Sequence, residues 1–234
     1  YGGLKPEDVR RWGQFTTFKQ NAPELLRREL RATQVIYCSP LVDPYQPVEA
    51  DVNMMSRLFE ALLERPPARF VIQTRGPLIV RDIDPIKELA ARTVVRVSFS
   101  LTTDLEDVRR LYEPHCDPLD ARLNAIARLR EAGVEVHAAL APLLPSNPVR
   151  LAQLALDATA RDLIGDALHV RSTKPRGATT REAAFRIAEH HAGHEQWLDP
   201  EFMDGVYCTI ANEAGKRGRR FLTGPAGFRL LTET

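Results

Sequence analysis

The sequence predicts an α/β chain on a parallel sheet, of barrel or doubly wound type. Three observations carry this. Short β-branched and aromatic runs alternate five times with amphipathic helical stretches, joined by short links. Each apolar run ends in polar or proline-rich residues, which places one functional rim at the carboxyl ends of the strands. The strand rhythm stops after Lys174. Residues 1–175 therefore read as the α/β unit and 176–234 as a mainly helical extension.

In chain order, Asn21-Ala22-Pro23-Glu24 predicts a helix start, with Asn21 as cap, Pro23 in the first turn and Glu24 closing a capping box. That helix runs to about Ala32 and gathers Leu25, Leu26 and Leu30 on one face. Val35–Cys38 reads as a buried strand. The stretch Asp43-Pro44-Tyr45-Gln46-Pro47-Val48-Glu49 then forms a stiff polar loop before a helix over residues 53–64. There Met54, Met55, Leu58, Phe59, Leu62 and Leu63 keep a helical period, and the two methionines read as core filler. A second strand spans Arg69 to Thr74, and Asp84-Pro85 opens a helix. The third strand, Val94 to Leu101, places Arg96, Ser98 and Ser100 on one face by alternation. Helices follow from Asp104 and from Asp117-Pro118, the latter closed at Gly133. The fourth strand spans Val134 to Leu140, Asn147-Pro148 opens a helix, and the fifth strand spans Ala167 to Val170. Residues 179–191 and 199–215 read as helices.

The 234 residues suit one large domain, or a barrel with a small appendage. Lysine and arginine total 32 against 31 acidic residues, so no global charge draws the chain to nucleic acid or to a membrane surface. Lys216-Arg217-Gly218-Arg219-Arg220 is a local basic run that could meet phosphates or simply be solvated. No apolar run is long enough to cross a bilayer, and the first residues show no signal-peptide pattern. The cysteines Cys38, Cys116 and Cys208 lack framework spacing, and their odd count argues for a reducing, cytoplasmic setting. His190 and His194 would share a helical face, as metal pairs do, with His191 beside them, but no zincin pattern accompanies them.

The loop from Asp43 to Glu49 resembles the Asp-Pro-Tyr-Gln-Pro-x-Glu signature of radical S-adenosylmethionine proteins of the spore-photoproduct-lyase-like family. Tyr1-Gly2-Gly3-Leu4, Lys19-Gln20-Asn21-Ala22-Pro23, Thr74-Arg75, Arg81-Asp82, Ser98 to Thr102, Glu113-Pro114 with Arg122-Leu123, and Ala141-Pro142 extend the likeness over roughly residues 1–145. The resemblance implies a partial (β/α)6 TIM-like barrel whose first strand precedes residue 1. It implies S-adenosylmethionine as cofactor and a 4Fe–4S cluster, on a Cys-x3-Cys-x2-Cys loop expected upstream of Tyr1. Reductive cleavage of the cofactor yields a 5′-deoxyadenosyl radical that abstracts hydrogen from substrate, with a reductase, flavodoxin or ferredoxin as electron donor. A nucleic-acid lesion is the namesake substrate.

Under this resemblance Asp43 and Tyr45 shape the cofactor pocket and hydrogen-bond its methionine or ribose moiety, or Asp43-Pro44 only caps a turn. Glu49 pairs with an arginine or starts a helix. Arg75 takes the place of a lysine that meets the cofactor carboxylate, or is a surface arginine at a strand end. Ser98 and Ser100 suit a polar lumen, or serve as core serines bonded to backbone. Glu113 and Arg122 form an ion pair, structural or ribose-binding. Cys38 stands near the position of a cysteine that returns hydrogen to the product radical, or is a small core thiol. Two other readings stay open: a barrel without a cluster that binds a ligand or partner, and an aldolase-type barrel with Lys174 as Schiff base.

Overall fold

The computed structural model describes residues 15–38, 42–168 and 182–233. The expected elements at Tyr1–Leu4 and Ser172–Lys174 lie outside the described residues. Six parallel strands lie side by side in chain order: β1 (Val35–Cys38), β2 (Arg69–Thr74), β3 (Val94–Ser100), β4 (Glu135–Leu143), β5 (Leu163–Ala167) and β6 (Phe221–Thr223). Sequential order with parallel pairing means that every crossover winds the same way, so the helices collect on one side and the sheet curls toward a barrel. β1 and β6 are its two edges.

The connecting helices are α1 (Ala22–Glu29), α2 (Glu49–Val52), α3 (Met54–Glu64), α4 (Ile83–Ala90), α5 (Glu106–Tyr112), α6 (Leu119–Glu131) and α7 (Pro148–Thr159). Then come α8 (Glu182–His190), α9 (Pro200–Lys216) and α10 (Gly224–Arg229). The convex face of the sheet, with Phe70, Ile72, Val97, Phe99, Val136 and Ala138, packs on Phe59, Ile86, Ile126 and Leu151 of the helices. Those side chains are nearly free of solvent. Apolar burial at about 25 cal/mol per Å2 makes this layer the main source of stability.

The concave face is divided. Val71 and Ile164 form an apolar floor with Leu231, flanked by Tyr37, Phe228 and Leu230. The carboxyl-terminal segment thus plugs the amino end of the barrel. Arg69 donates to the Thr232 carbonyl at 2.6 Å, and Arg96 to those of Leu230 and Glu233 at 2.9 and 2.6 Å. Above the floor the face is polar.

Several expectations change. Asn21 precedes α1, but its side chain makes no cap bond and φ is −90°; Glu24 reaches Arg57 at 3.4 Å instead of closing a box. The fifth strand begins at Leu163 rather than Ala167. Arg161-Asp162 before it and Gly165-Asp166 within it dilute the apolar run that periodicity needs. The extension read as helical also supplies β6, registered on β5 through Leu163–Phe221. Six strands, not five, therefore lie among the described residues. Gly165 permits this pairing, because a Cβ there would meet Phe221 Cε2 at 2.5 Å. Asn147 does cap α7, accepting from Arg150 N at 3.1 Å.

Candidate active site

The polar signature loop follows β1 and is pinned from several directions. Asp43 accepts three bonds: from Tyr45 N at 2.9 Å, Thr74 Oγ1 at 2.6 Å and Arg75 N at 2.7 Å. Its carboxylate therefore ties the loop to the end of β2. Gly76 lets the two approach, since a Cβ there would stand 2.5 Å from the Tyr45 carbonyl oxygen. Tyr45 is buried and donates its hydroxyl to Asp82 Oδ2 at 3.0 Å. Burial and the Asp82 charge hold that phenol far above its ordinary range, so it stays a donor. Asp82 Oδ1 also accepts from Ser56 Oγ at 3.0 Å.

Glu49 is 1% exposed and accepts from Met54 N and Met55 N at 3.1 and 2.8 Å, satisfying the first amides of α3. Its other partner is Arg81, at 2.9 Å. Both alternatives read for Glu49 are thus realised together. The carboxylates and phenol of the signature loop are bonded to the protein itself, which makes the loop a rigid rim.

Arg75 leaves β2 and pairs with Glu113, whose other oxygen accepts from Arg122 Nη2 at 2.8 Å. Arg122 is 2% exposed and also holds the Asp117 carbonyl at 2.9 Å. Burial alone would raise the Glu113 carboxyl, but the two guanidiniums outweigh it and hold it below the ordinary range. The structure brings Arg75, Glu113, Arg122 and Asp43 into one charged group, with Cys116 beside Arg75.

Ser98 and Ser100 lie on the concave face. Ser98 registers with Gln73 and His137, and Ser100 with Ala139. Both serines are fully buried, as is Thr102 just past the strand end. Ser98 Oγ and Thr102 Oγ1 make no well-aligned hydrogen bond, although Ser98 lies beside the Tyr37 hydroxyl and Thr102 beside the Glu113 carboxylate.

Cys38 is not part of that face. It registers with Ile72 and packs in the helix-side core, whereas Tyr37 turns inward and donates to Gln73 Oε1 at 2.8 Å. The reason is alternation: β1 stays extended through Cys38, so adjacent residues point to opposite sides. Burial and the nearby Asp43 charge push the Cys38 thiol up to about 12, leaving it neutral. The sequence reading passed over Tyr37, Gln73 and His137; the same alternation, applied to β1, β2 and β4, points to all three.

His190 Nδ1 faces the Arg186 carbonyl at 2.8 Å, and His194 Nδ1 lies 3.1 Å from the Tyr112 hydroxyl. Among the described residues no group of three or more His, Cys, Asp and Glu side chains is placed to hold a metal ion. The cysteines are unpaired. Among the same residues no helix is long and apolar enough to cross a membrane.

A curled parallel βα sheet with a rigid polar rim at the strand ends defines a partial barrel. A model of the Radical SAM superfamily matches residues 21–157, and the chain belongs to that superfamily. An uncharacterised protein of Methanocaldococcus jannaschii is 25% identical over 135 residues, 58% of this chain and 50% of that protein. One from Mycobacterium tuberculosis is 31% identical over 131 residues, 54% and 38% of the two chains. The chain thus spans half or less of these relatives. Among solved structures, a cysteine-to-serine variant of spore photoproduct lyase superposes with a TM-score of 0.58 at 12% identity, covering 87% of this chain and 64% of that one. A second variant, with bound S-adenosylmethionine and dinucleoside spore photoproduct, gives 0.55 at 12% identity over 86% and 64%. The shared fold is that of spore photoproduct lyase.

Proposed function

We propose that this chain is the cofactor-binding barrel of a radical S-adenosylmethionine enzyme of the spore-photoproduct-lyase-like type. The observation that carries the reading is the Radical SAM superfamily match over residues 21–157, which takes in the loop from Asp43 to Glu49 and the polar face of β3. When bound, S-adenosylmethionine reduced at a 4Fe–4S cluster supplies hydrogen-atom abstraction.

This chain's own residues position and shield. Ser98, Ser100 and Thr102 bond the ribose and methionine moieties. Arg75 meets the ligand carboxylate, oriented by Glu113, which Arg122 anchors in turn. Asp43, Tyr45 and Glu49 keep the rim rigid and exclude water. The described residues do not suit an iron–sulfur cluster, so its ligands are assigned to a cysteine loop outside them, and no step is derived through it. A reductase, ferredoxin or flavodoxin serves as electron donor, and a reducing cytoplasm suits the three unpaired cysteines. A nucleic-acid lesion is the substrate class that the fold likeness suggests, and it rests on that likeness alone.

The test is iron and sulfide analysis, with an absorbance spectrum, on full-length protein purified without oxygen. The expected result is about four irons per chain and a reducible brown chromophore. Dithionite with S-adenosylmethionine then releases 5′-deoxyadenosine. A colourless protein that resists reconstitution overturns the radical mechanism and leaves a ligand-binding barrel.

A further inference from the structure

The basic run near the carboxyl terminus separates into paired cations and one exception. Lys216 pairs with Glu213 and Arg217 with Asp157. Arg220 grips Asp162 through Nε and Nη2 at 2.9 and 2.7 Å. Arg219 and Arg161 make no side-chain hydrogen bond or close ion pair among the described residues; Arg219 lies in electrostatic reach of Asp162 and Arg161 of Glu135.

These two arginines are neighbours by construction. Ala160, at φ +52°, closes α7 just before Arg161, and Gly218, at φ +64°, closes α9 just before Arg219. The chain then enters β5 and β6, where Leu163 pairs with Phe221. Both guanidiniums line a cavity of about 210 Å3 at the amino end of the sheet, away from the rim.

His137 lines the same cavity. It is 5% exposed, and its Nε2 lies 2.8 Å from Glu135 Oε1. Its Nδ1 is buried without a partner. The carboxylates there are mostly spoken for. Glu135 holds Arg96 at 3.0 Å as well as His137, and Asp162 holds Arg220. Glu233 stands at the exposed edge. Two planar cations without a hydrogen-bonded partner, in electrostatic reach of Glu135 and Asp162, and a buried imidazole nitrogen therefore share one small cavity. A guanidinium fork matches the tetrahedral oxygens of phosphate.

We propose that this cavity is a second ligand site, in which Arg161, Arg219 and His137 hold a phosphate group, either free or carried on a small molecule. It opens at the amino end of the sheet, where His137 sits in register with Ser98 of the proposed cofactor face, and its test does not depend on the radical reading. Its wall includes the carboxyl-terminal segment that Arg96 fastens through the Leu230 and Glu233 carbonyls. A bound phosphate would therefore adjoin the plug that closes the lumen.

The test titrates inorganic phosphate, then adenosine 5′-monophosphate, into the full-length protein by calorimetry at fixed ionic strength. Saturable binding of one equivalent is expected. Arg161→Gln and Arg219→Gln each weaken it about tenfold or more, the scale of one charge-assisted pair. Lys216→Gln and Arg217→Gln leave it unchanged. Tighter binding of one probe than the other tells a free phosphate from a carried one. Addition of phosphate also shifts the Nδ1 resonance of His137 in nitrogen NMR of the wild-type protein, a readout that needs no variant. The proposal is overturned by absence of saturable binding, by a silent His137, or by equal losses in the Lys216 and Arg217 variants. It is likewise overturned if a short single-stranded oligonucleotide binds tighter than both probes through Lys216 and Arg217.

Discussion

Tyr37 and Cys38 are consecutive residues of β1 that face opposite sides of the sheet. The phenol bonds Gln73 in the concave mouth, and the thiol packs in the helix-side core. Cys38 is thereby removed from the space where a substrate would sit. Alkylation tells the two placements apart. At pH 8 iodoacetamide should label the exposed Cys208 first and reach Cys38 only on unfolding, because the Cys38 thiol is pushed up to about 12 by burial. Labelling of Cys38 at the rate of Cys208 would show its sulfur open to solvent.

Glu49 joins two elements that the sequence separates, the first turn of α3 and Arg81. Glu49→Ala strips the amides of their acceptor and leaves Arg81 without that carboxylate. The stability loss should be about 3 kcal/mol, as for breaking one side of a buried pair. Urea unfolding measures it as a lower midpoint at unchanged slope. A loss under about 0.5 kcal/mol, the level of an ordinary surface change, would mean that the network does not hold the loop.

Glu113 serves two guanidiniums at once, so Glu113→Gln should cost more than removal of either surface partner of an exposed pair. About 3–5 kcal/mol is expected, because Arg122 stays buried with its charge uncompensated. An Arg122→Met, Glu113→Leu double variant should recover part of that loss, since the fully buried Arg122 charge leaves with Glu113 and only the less buried Arg75 stays without its carboxylate. Thermal unfolding of the three proteins decides the point, and equal midpoints for single and double variants would sink it.

The first three strands were legible because they are dense in valine, isoleucine and aromatic residues, and the fourth because an alanine- and leucine-rich run ends in Pro142 and Pro145. Alternation correctly gathered Arg96, Ser98 and Ser100, whose registers confirm one face. β5 slid because Gly165 and Asp166 interrupt its pattern, and β6 was invisible at three residues. What Asp43 does was also hidden. Its partners Thr74 and Arg75 lie 31 and 32 residues away and meet it only through strand pairing. A motif shows which residues recur; it does not show that their polar atoms are already bonded within the protein.

Glu135 carries a pH prediction. The His137 hydrogen bond, then Arg96, hold its carboxyl down to about 2 against an opposing effect of burial. A depressed folded pKa means stability that is present above the ordinary value of 4.5 and lost as pH falls toward about 2. Because the group is partly exposed, screening reduces this to about 1–2 kcal/mol. Glu135→Gln should flatten acid unfolding across that window while changing little between pH 6 and 8 in slope. An acid limb of unchanged steepness would assign the loss to other carboxylates.

Gly76 supplies the sharpest steric test of the rim. A Cβ at this position would stand 2.5 Å from the Tyr45 carbonyl oxygen and 2.9 Å from Tyr45 Cβ. Neither is the free end of a flexible side chain, so the loop or the end of β2 must move. Gly76→Ala should cost about 1–3 kcal/mol, the range for overpacked sites. Under the proposed function it should also weaken S-adenosylmethionine binding, because Asp43 bonds both the loop and Arg75 N. Gly205→Ala is the control: its Cβ meets nothing within 4 Å, and it lies inside α9. That substitution should leave binding unchanged and add about 0.5–1 kcal/mol through helix propensity. Calorimetric unfolding and equilibrium binding on both variants separate the outcomes. A Gly76→Ala protein as stable and as tightly binding as the parent would show that the rim is not closed as described.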